Sequence, residues 1–215
     1  KKYLTYLLQT NLVEIVILSF AVLAGFPLPL LPVQILYINL ATDGLPAIAL
    51  GLSPAEPDVM KRPPRNPKET IFTRDVKIFL IRALVIEVPL LMWVFISSLP
   101  LGEEIARTRL FLVLVFFELV LAICCRSLKC NITKARPHKL LVGTVLWEIG
   151  LIGLIMSVPV LRDSFGLAPI GLYEVLLIAG LSAVVLVTIE LTKWVLHRND
   201  REVEDSHQPE HPQMT

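Results

Sequence analysis

The 215 residues carry 20 Lys and Arg against 19 Asp and Glu, and 54% of them are hydrophobic, for a mean hydropathy of +0.68. That is too apolar for a soluble domain, whose surface must be largely polar, and it places the chain in a bilayer. The basic residues are confined to short stretches between long uncharged ones, which excludes a continuous basic face for nucleic acid.

A hydrocarbon core of about 30 Å needs about 20 helical residues at about 1.5 Å each. Six apolar runs of that order occur, over residues 4–24, 31–52, 76–98, 110–128, 140–161 and 172–196. They predict an all-α, polytopic membrane bundle of six transmembrane helices within a domain covering 1–198. The opening Lys-Lys-Tyr, and the Asn11 and Glu14 inside the first run, do not fit a signal peptide; residue 1 reads as mid-protein.

The connections alternate in charge. Seventeen of the 20 basic residues fall on the side that holds both ends of the chain, and only Arg107, Arg109 and Arg162 fall on the other. Because Lys and Arg favour cytoplasmic loops, both termini are expected in the cytoplasm. The segment 53–75, with five prolines and no helical period, reads as a cytoplasmic loop, and 199–215 as a disordered cytoplasmic tail. His207 and His211 in that tail are too few to build a metal site. The acceptor pattern Asn131-Ile132-Thr133 falls on the cytoplasmic side, which argues against glycosylation. Cys124, Cys125 and Cys130 cluster at one span end without a second pair or histidines, and read as small packing residues. No fixed-period repeat or inverted half is visible, which disfavours a secondary carrier.

Carboxylates at bilayer depth cost about 2.5–3.5 kcal/mol on insertion scales and call for a partner or a purpose. Glu14, Asp43 and Glu118 stand about midway along the first, second and fourth runs. Asn11 precedes Glu14 by one helical turn, and Asn39, Thr42 and Asp43 occupy i, i+3 and i+4, so two spans each present a stripe of oxygen donors. Together Asn11, Glu14, Asn39, Thr42, Asp43 and Glu118 form an all-oxygen set of six, the donor chemistry of a hard cation such as calcium. Singly, Asn39 and Thr42 would serve equally well as interhelical hydrogen-bonding groups. Pro46 has no N–H to give to the carbonyl of Thr42, and with Gly44 beside it the second helix is expected to kink or unwind near Gly44–Pro46. Glu87 and Glu148 lean towards structural roles, and Glu174 and Glu190 lie near span ends, where water or Lys193 can satisfy them. Trp93, Trp147 and Trp194 read as packing or interface anchors.

The words Thr-Asn-Leu-Val-Glu (10–14), Asn-Leu-Ala-Thr-Asp-Gly-Leu-Pro-Ala (39–47) and Met-Lys-Arg-Pro-Pro-Arg (60–65) resemble the fifth and sixth transmembrane helices, and the following loop, of P-type calcium-transporting ATPases of the sarcoplasmic-reticulum type. The resemblance extends from Tyr3 to Arg198 and implies that the six spans are the family's fifth to tenth. It implies that Asn11, Glu14, Asn39, Thr42 and Asp43 are calcium ligands, with Asp43 bridging two ions, and that Glu118 in Phe-Phe-Glu-Leu is the eighth-helix carboxylate. Calcium is then the transported ligand. ATP and magnesium act only through phosphorylation, nucleotide and actuator parts that this sequence lacks, so the chain by itself does not hydrolyse ATP. The expected partners are membrane lipid and the pump's N-terminal helices and cytoplasmic domains, in the plasma membrane or an internal one. A fragment, a split pump and an excised piece all fit these features. A sodium, proton or manganese pump of the same superfamily, and a non-catalytic membrane module or passive cation pathway, stay open as alternatives.

Overall fold

The computed structural model describes residues 2–53, 73–126 and 138–206, of which 197–206 are described by backbone alone. Most of the 53–75 loop, Cys130, the Asn131 acceptor and residues 207–215 lie outside this range. All regular structure among the described residues is helical, and six helices are long and apolar enough to cross a membrane. The protein is an integral membrane helix bundle.

The first span is α1, Lys2–Leu23. The second is a composite of α2 (Pro32–Tyr37), a π-helical segment over Ile38–Asp43, and α3 (Gly44–Gly51). The third joins α4 (Arg74–Arg82), a second π-helical segment over Ala83–Glu87, α5 (Val88–Ser98) and a 3₁₀ turn at Leu99–Leu101. The fourth and fifth are α6 (Glu103–Cys125) and α7 (Lys139–Ser157); a short α8 (Pro159–Ser164) precedes the last, α9 (Leu172–Ser206).

The irregularity expected near Gly44–Pro46 is present, but as a widened helical turn that ends at Asp43 rather than as unwound chain. The π turn keeps most backbone groups bonded within the helix, which hydrocarbon surroundings demand.

Several boundaries differ from the apolar runs. α6 begins at Glu103, seven residues before the run, because its flanking charges are satisfied within helix. Glu103 and Glu104 sit in the first turn, where the helix dipole favours acids. Arg107 bonds Glu103 at 2.6 Å, one turn back. α7 stops at Ser157, two residues before Pro159, and starts with His138 Nδ1 accepting the Leu141 N–H at 3.1 Å. α9 continues to Ser206, into the segment expected to be unstructured; no Pro or Gly occurs in 199–206, and Pro209 is the first breaker.

α6 is the central helix, packed against α1, α3, α5, α7 and α9. The run Leu110 to Val115 is buried on every side, each residue at most 1% exposed. Lipid tails are as apolar as Leu, so this burial stabilises the bundle through close packing and dispersion rather than through transfer out of water. α7 and α9 are peripheral, with Leu146, Trp147, Leu176 and Leu191 facing outward.

One end of the bundle is closed by the segment after α8. Gln34 accepts the Leu31 N–H at 3.0 Å and donates to the Phe165 carbonyl at 3.0 Å. Thr108 Oγ1 accepts the Ala168 N–H at 2.8 Å, and the Phe165 ring stands edge-on to Tyr37. Gly166 makes the turn at φ +61°, and a side chain there would also collide with Leu31.

Candidate cation site

α1 packs against α3, and α6 packs against α1, α3 and the first π-helical segment. This brings the donor stripes of the first two spans face to face. The amide of Asn39 donates from Nδ2 to Glu14 Oε2 at 3.3 Å, from the second span to the first. In the opposite sense, Asn11 Nδ2 on α1 reaches Asp43 Oδ2 at 3.4 Å, a long contact that Thr10 Oγ1 strengthens by donating to the same oxygen at 3.0 Å. The two asparagines also donate to the carbonyls one turn before them, Leu7 at 2.9 Å and Ile35 at 3.0 Å. Their NH₂ groups are thereby used, and each Oδ1 is left as an acceptor.

The carboxylates are deeply enclosed: Glu14, Asp43 and Glu118 are 4%, 2% and 3% exposed. Among the described residues, Glu14 Oε1, Asp43 Oδ1 and both oxygens of Glu118 accept no hydrogen bond. A buried acceptor without a partner costs about 1–3 kcal/mol, and more when it is charged. A hard cation is the ligand chemistry that would take up such oxygens. No three acidic, histidine or cysteine side chains among the described residues converge tightly enough to hold an ion by themselves. A cation here would therefore draw on amide and hydroxyl oxygens beside carboxylates.

The six expected donors are not equally connected. Asn11 is joined to Asp43, and Glu14 to Asn39. Asn39 is on the exposed side of the second span. Thr42 turns its hydroxyl to α7 instead, donating to Glu148 Oε1 at 2.8 Å. Glu118 lies on the central helix, with no hydrogen bond to the other five among the described residues.

The family model described as "Cation transporting ATPase, C-terminus" matches residues 27–195. The chain belongs to this family. It is 37% identical over 189 residues to the calcium-transporting ATPase of Bacillus subtilis, an alignment covering 86% of this chain and 21% of that protein. It is 34% identical over 213 residues to calcium-transporting ATPase 1 of Bacillus cereus, covering 90% and 24%. Against calcium-transporting ATPase type 2C member 1 of Pongo abelii it is 30% identical over 199 residues, covering 91% and 22%. The chain thus spans between a fifth and a quarter of the length of these relatives.

Two polar residues around the donors, Thr10 and Tyr6, are not among the six expected from the sequence. Thr10 lies inside a motif word, yet its hydroxyl carries no bilayer cost large enough to single it out. Tyr6, fully buried, donates its hydroxyl to the Thr42 carbonyl at 2.9 Å. That is the carbonyl to which Pro46 cannot donate, so the expected freed acceptor exists and its partner comes from α1. Tyr6→Phe would leave it without that donor. The expected result is a loss of about 1–3 kcal/mol, read as a fall of several degrees in the unfolding midpoint of the detergent-solubilised full-length protein. An unchanged midpoint would mean the carbonyl has another partner.

The remaining acids divide clearly. Arg82, counted with the cytoplasmic charges although the 76–98 run contains it, is 5% exposed within the third span and bonds Glu87 at 2.7 Å. The span begins at Arg74 rather than 76, and the second π turn brings Glu87 into reach. Gln9 Nε2 of α1 donates to both oxygens of Glu87 at 3.0 and 3.2 Å, and Arg82 reaches Thr188 of α9 at 3.3 Å. Glu87 is thus held by an ion pair and by hydrogen bonds from α1. Glu190 is paired with Lys193 at 2.9 Å, as expected. Glu174 is met by Arg109 at 2.8 Å and the Gly171 N–H at 2.8 Å, from a residue assigned to the opposite loop. Cys124 and Cys125 are buried free thiols.

Proposed function

We propose that this chain is the ion-binding transmembrane part of an ATP-driven calcium pump. Asn11, Glu14, Asn39, Thr42, Asp43 and Glu118 supply oxygen to the transported cation. The observation that carries the reading is the reciprocal bridging of α1 and the first π turn, where Asn39 reaches Glu14 while Asn11 and Thr10 reach Asp43. Two carboxylates from different helices are thereby held together without a basic group between them, each with one oxygen unengaged. Such an arrangement is poorly explained by packing and well explained by a shared divalent ion. The similarity to calcium-transporting ATPases supports calcium as that ion.

Transport requires the ion to bind one conformation better than another. The ligands lie on separate helices, so a small displacement of α1 against the second span separates Glu14 from Asn39 and Asp43 from Asn11. The energy for that displacement comes from ATP and magnesium acting in other domains of the pump polypeptide, and those domains and the N-terminal helices are the chain's partners along with lipid. The excess of basic residues on one side supports both termini in the cytoplasm, in the plasma membrane or an internal membrane.

The full-length pump, reconstituted in vesicles, tests this. ATP should drive uptake of radioactive calcium that a calcium ionophore releases, with manganese competing and sodium without effect. Sodium-driven or proton-driven turnover that ignores calcium would reject the calcium reading. Calcium leakage through the purified chain without ATP would favour a passive pathway instead.

A further inference from the structure

α7 contributes none of the six donors, yet one of its side chains is hydrogen-bonded to one of them. Its buried positions, Leu141, Val145, Glu148, Ile152 and Ile155, recur every three or four residues and form one stripe, while Leu146, Trp147 and Ile149 beside them are exposed. α7 packs against α3, and Glu148 is the one acid in an otherwise apolar stripe. An apolar residue would pack there without enclosing a carboxyl, so the carboxyl calls for a reason. It accepts a hydrogen bond from Thr42 Oγ1, at 2.8 Å and 106 positions away, with both residues 0% exposed.

Thr42 has two groups to offer a cation. Its carbonyl accepts the Tyr6 hydroxyl, and its side-chain oxygen is the second group. A hydroxyl carries one proton and two lone pairs, and a cation is repelled by the proton and held by the lone pairs. A hydrogen bond donated to Glu148 leaves both lone pairs for another partner.

We infer that Glu148 is a positioning residue for the cation site: by accepting the hydrogen bond of the Thr42 hydroxyl it orients the lone pairs of that oxygen towards the ion. The inference rests on the reading of Thr42 as a ligand. It adds a requirement that the ligand set alone does not contain, because it makes calcium affinity depend on a helix without ligands.

The test is the calcium dependence of phosphorylation by ATP in membranes bearing the full-length pump, for Thr42→Ala, Glu148→Ala, Glu148→Gln and the double alanine variant. Glu148→Ala should raise the calcium concentration for half-maximal phosphorylation roughly tenfold, the scale of one lost hydrogen bond to a charged group, and change the maximal level by less than about twofold. Glu148→Gln should stay within about threefold of the parent, since an amide oxygen accepts the same hydrogen bond. The double variant should be no worse than Thr42→Ala, because both changes remove one interaction. Should Glu148→Ala fail to accumulate as folded protein, Glu148→Met, of similar volume and a poor acceptor, takes its place. An unchanged or tighter calcium dependence in Glu148→Ala, a Gln variant as weak as the alanine one, or multiplied effects in the double variant would each overturn the inference while leaving Thr42 as a ligand. An unaltered calcium dependence in Thr42→Ala would remove the underlying reading of Thr42, and this inference with it.

Discussion

Asp43→Asn in the full-length pump is expected to weaken calcium-dependent phosphorylation about 100-fold or more, without lowering the stability of the protein. The affinity loss follows from removing one of two bridged carboxylates in an enclosed site, where an interaction with full charge is worth about 3 kcal/mol or more. The stability forecast follows from the same burial. Asp43 is 2% exposed, and its Oδ1 accepts no hydrogen bond among the described residues. Replacing the carboxylate by a neutral amide of the same shape relieves a buried charge, so the unfolding midpoint measured without calcium should hold or rise. Calcium titration of phosphorylation and a thermal unfolding curve of the same preparation decide the matter. A loss of affinity below about threefold would remove Asp43 from the site, and a large fall in midpoint would make it a structural residue.

Glu87→Ala should behave in the opposite manner. Its partner Arg82 is nearly as enclosed, and losing the carboxylate leaves an uncompensated guanidinium inside the bundle, which costs about 3–5 kcal/mol. For a chain of this size that is a fall of roughly 10 °C in the unfolding midpoint. The paired change Arg82→Met with Glu87→Leu should recover much of the loss, since replacing both members of a buried ion pair by apolar groups is often neutral. A double variant as unstable as the single one would show that the network to Gln9 and Thr188, rather than the charge pair, is what matters. The two acids thus separate by one measurement each: affinity for Asp43 and stability for Glu87.

The six spans were legible because run length and the absence of charge are local properties of the sequence. The candidate donors were legible for a related reason: Asn11 with Glu14, and Asn39 with Thr42 and Asp43, are single-turn spacings within one helix. That the two stripes face each other required only that consecutive spans be neighbours. The rest depended on contacts between distant positions. Nothing in the text near Glu148 announces Thr42, 106 residues earlier. The count of basic residues treats Arg82 as a surface charge of the cytoplasmic side, whereas inside the 76–98 run it pairs with Glu87, five positions on, across a π turn. Such turns leave no periodic signature in six residues, so Pro46 and Gly44 pointed to a break without giving its form. Helix ends were missed where paired charges, such as Arg107 with Glu103, let the helix outrun its apolar run.

The enclosure of α6 limits how far its sequence can drift. From Leu110 to Val115 every direction meets another helix, so a smaller residue leaves a void and a larger one forces its neighbours apart. On α7 and α9 the outward positions meet fluid lipid, which adapts to almost any apolar shape. In a library of random substitutions, tolerated changes should accumulate at positions such as Leu146 and Leu191 and be rare along the helix that bears Glu118.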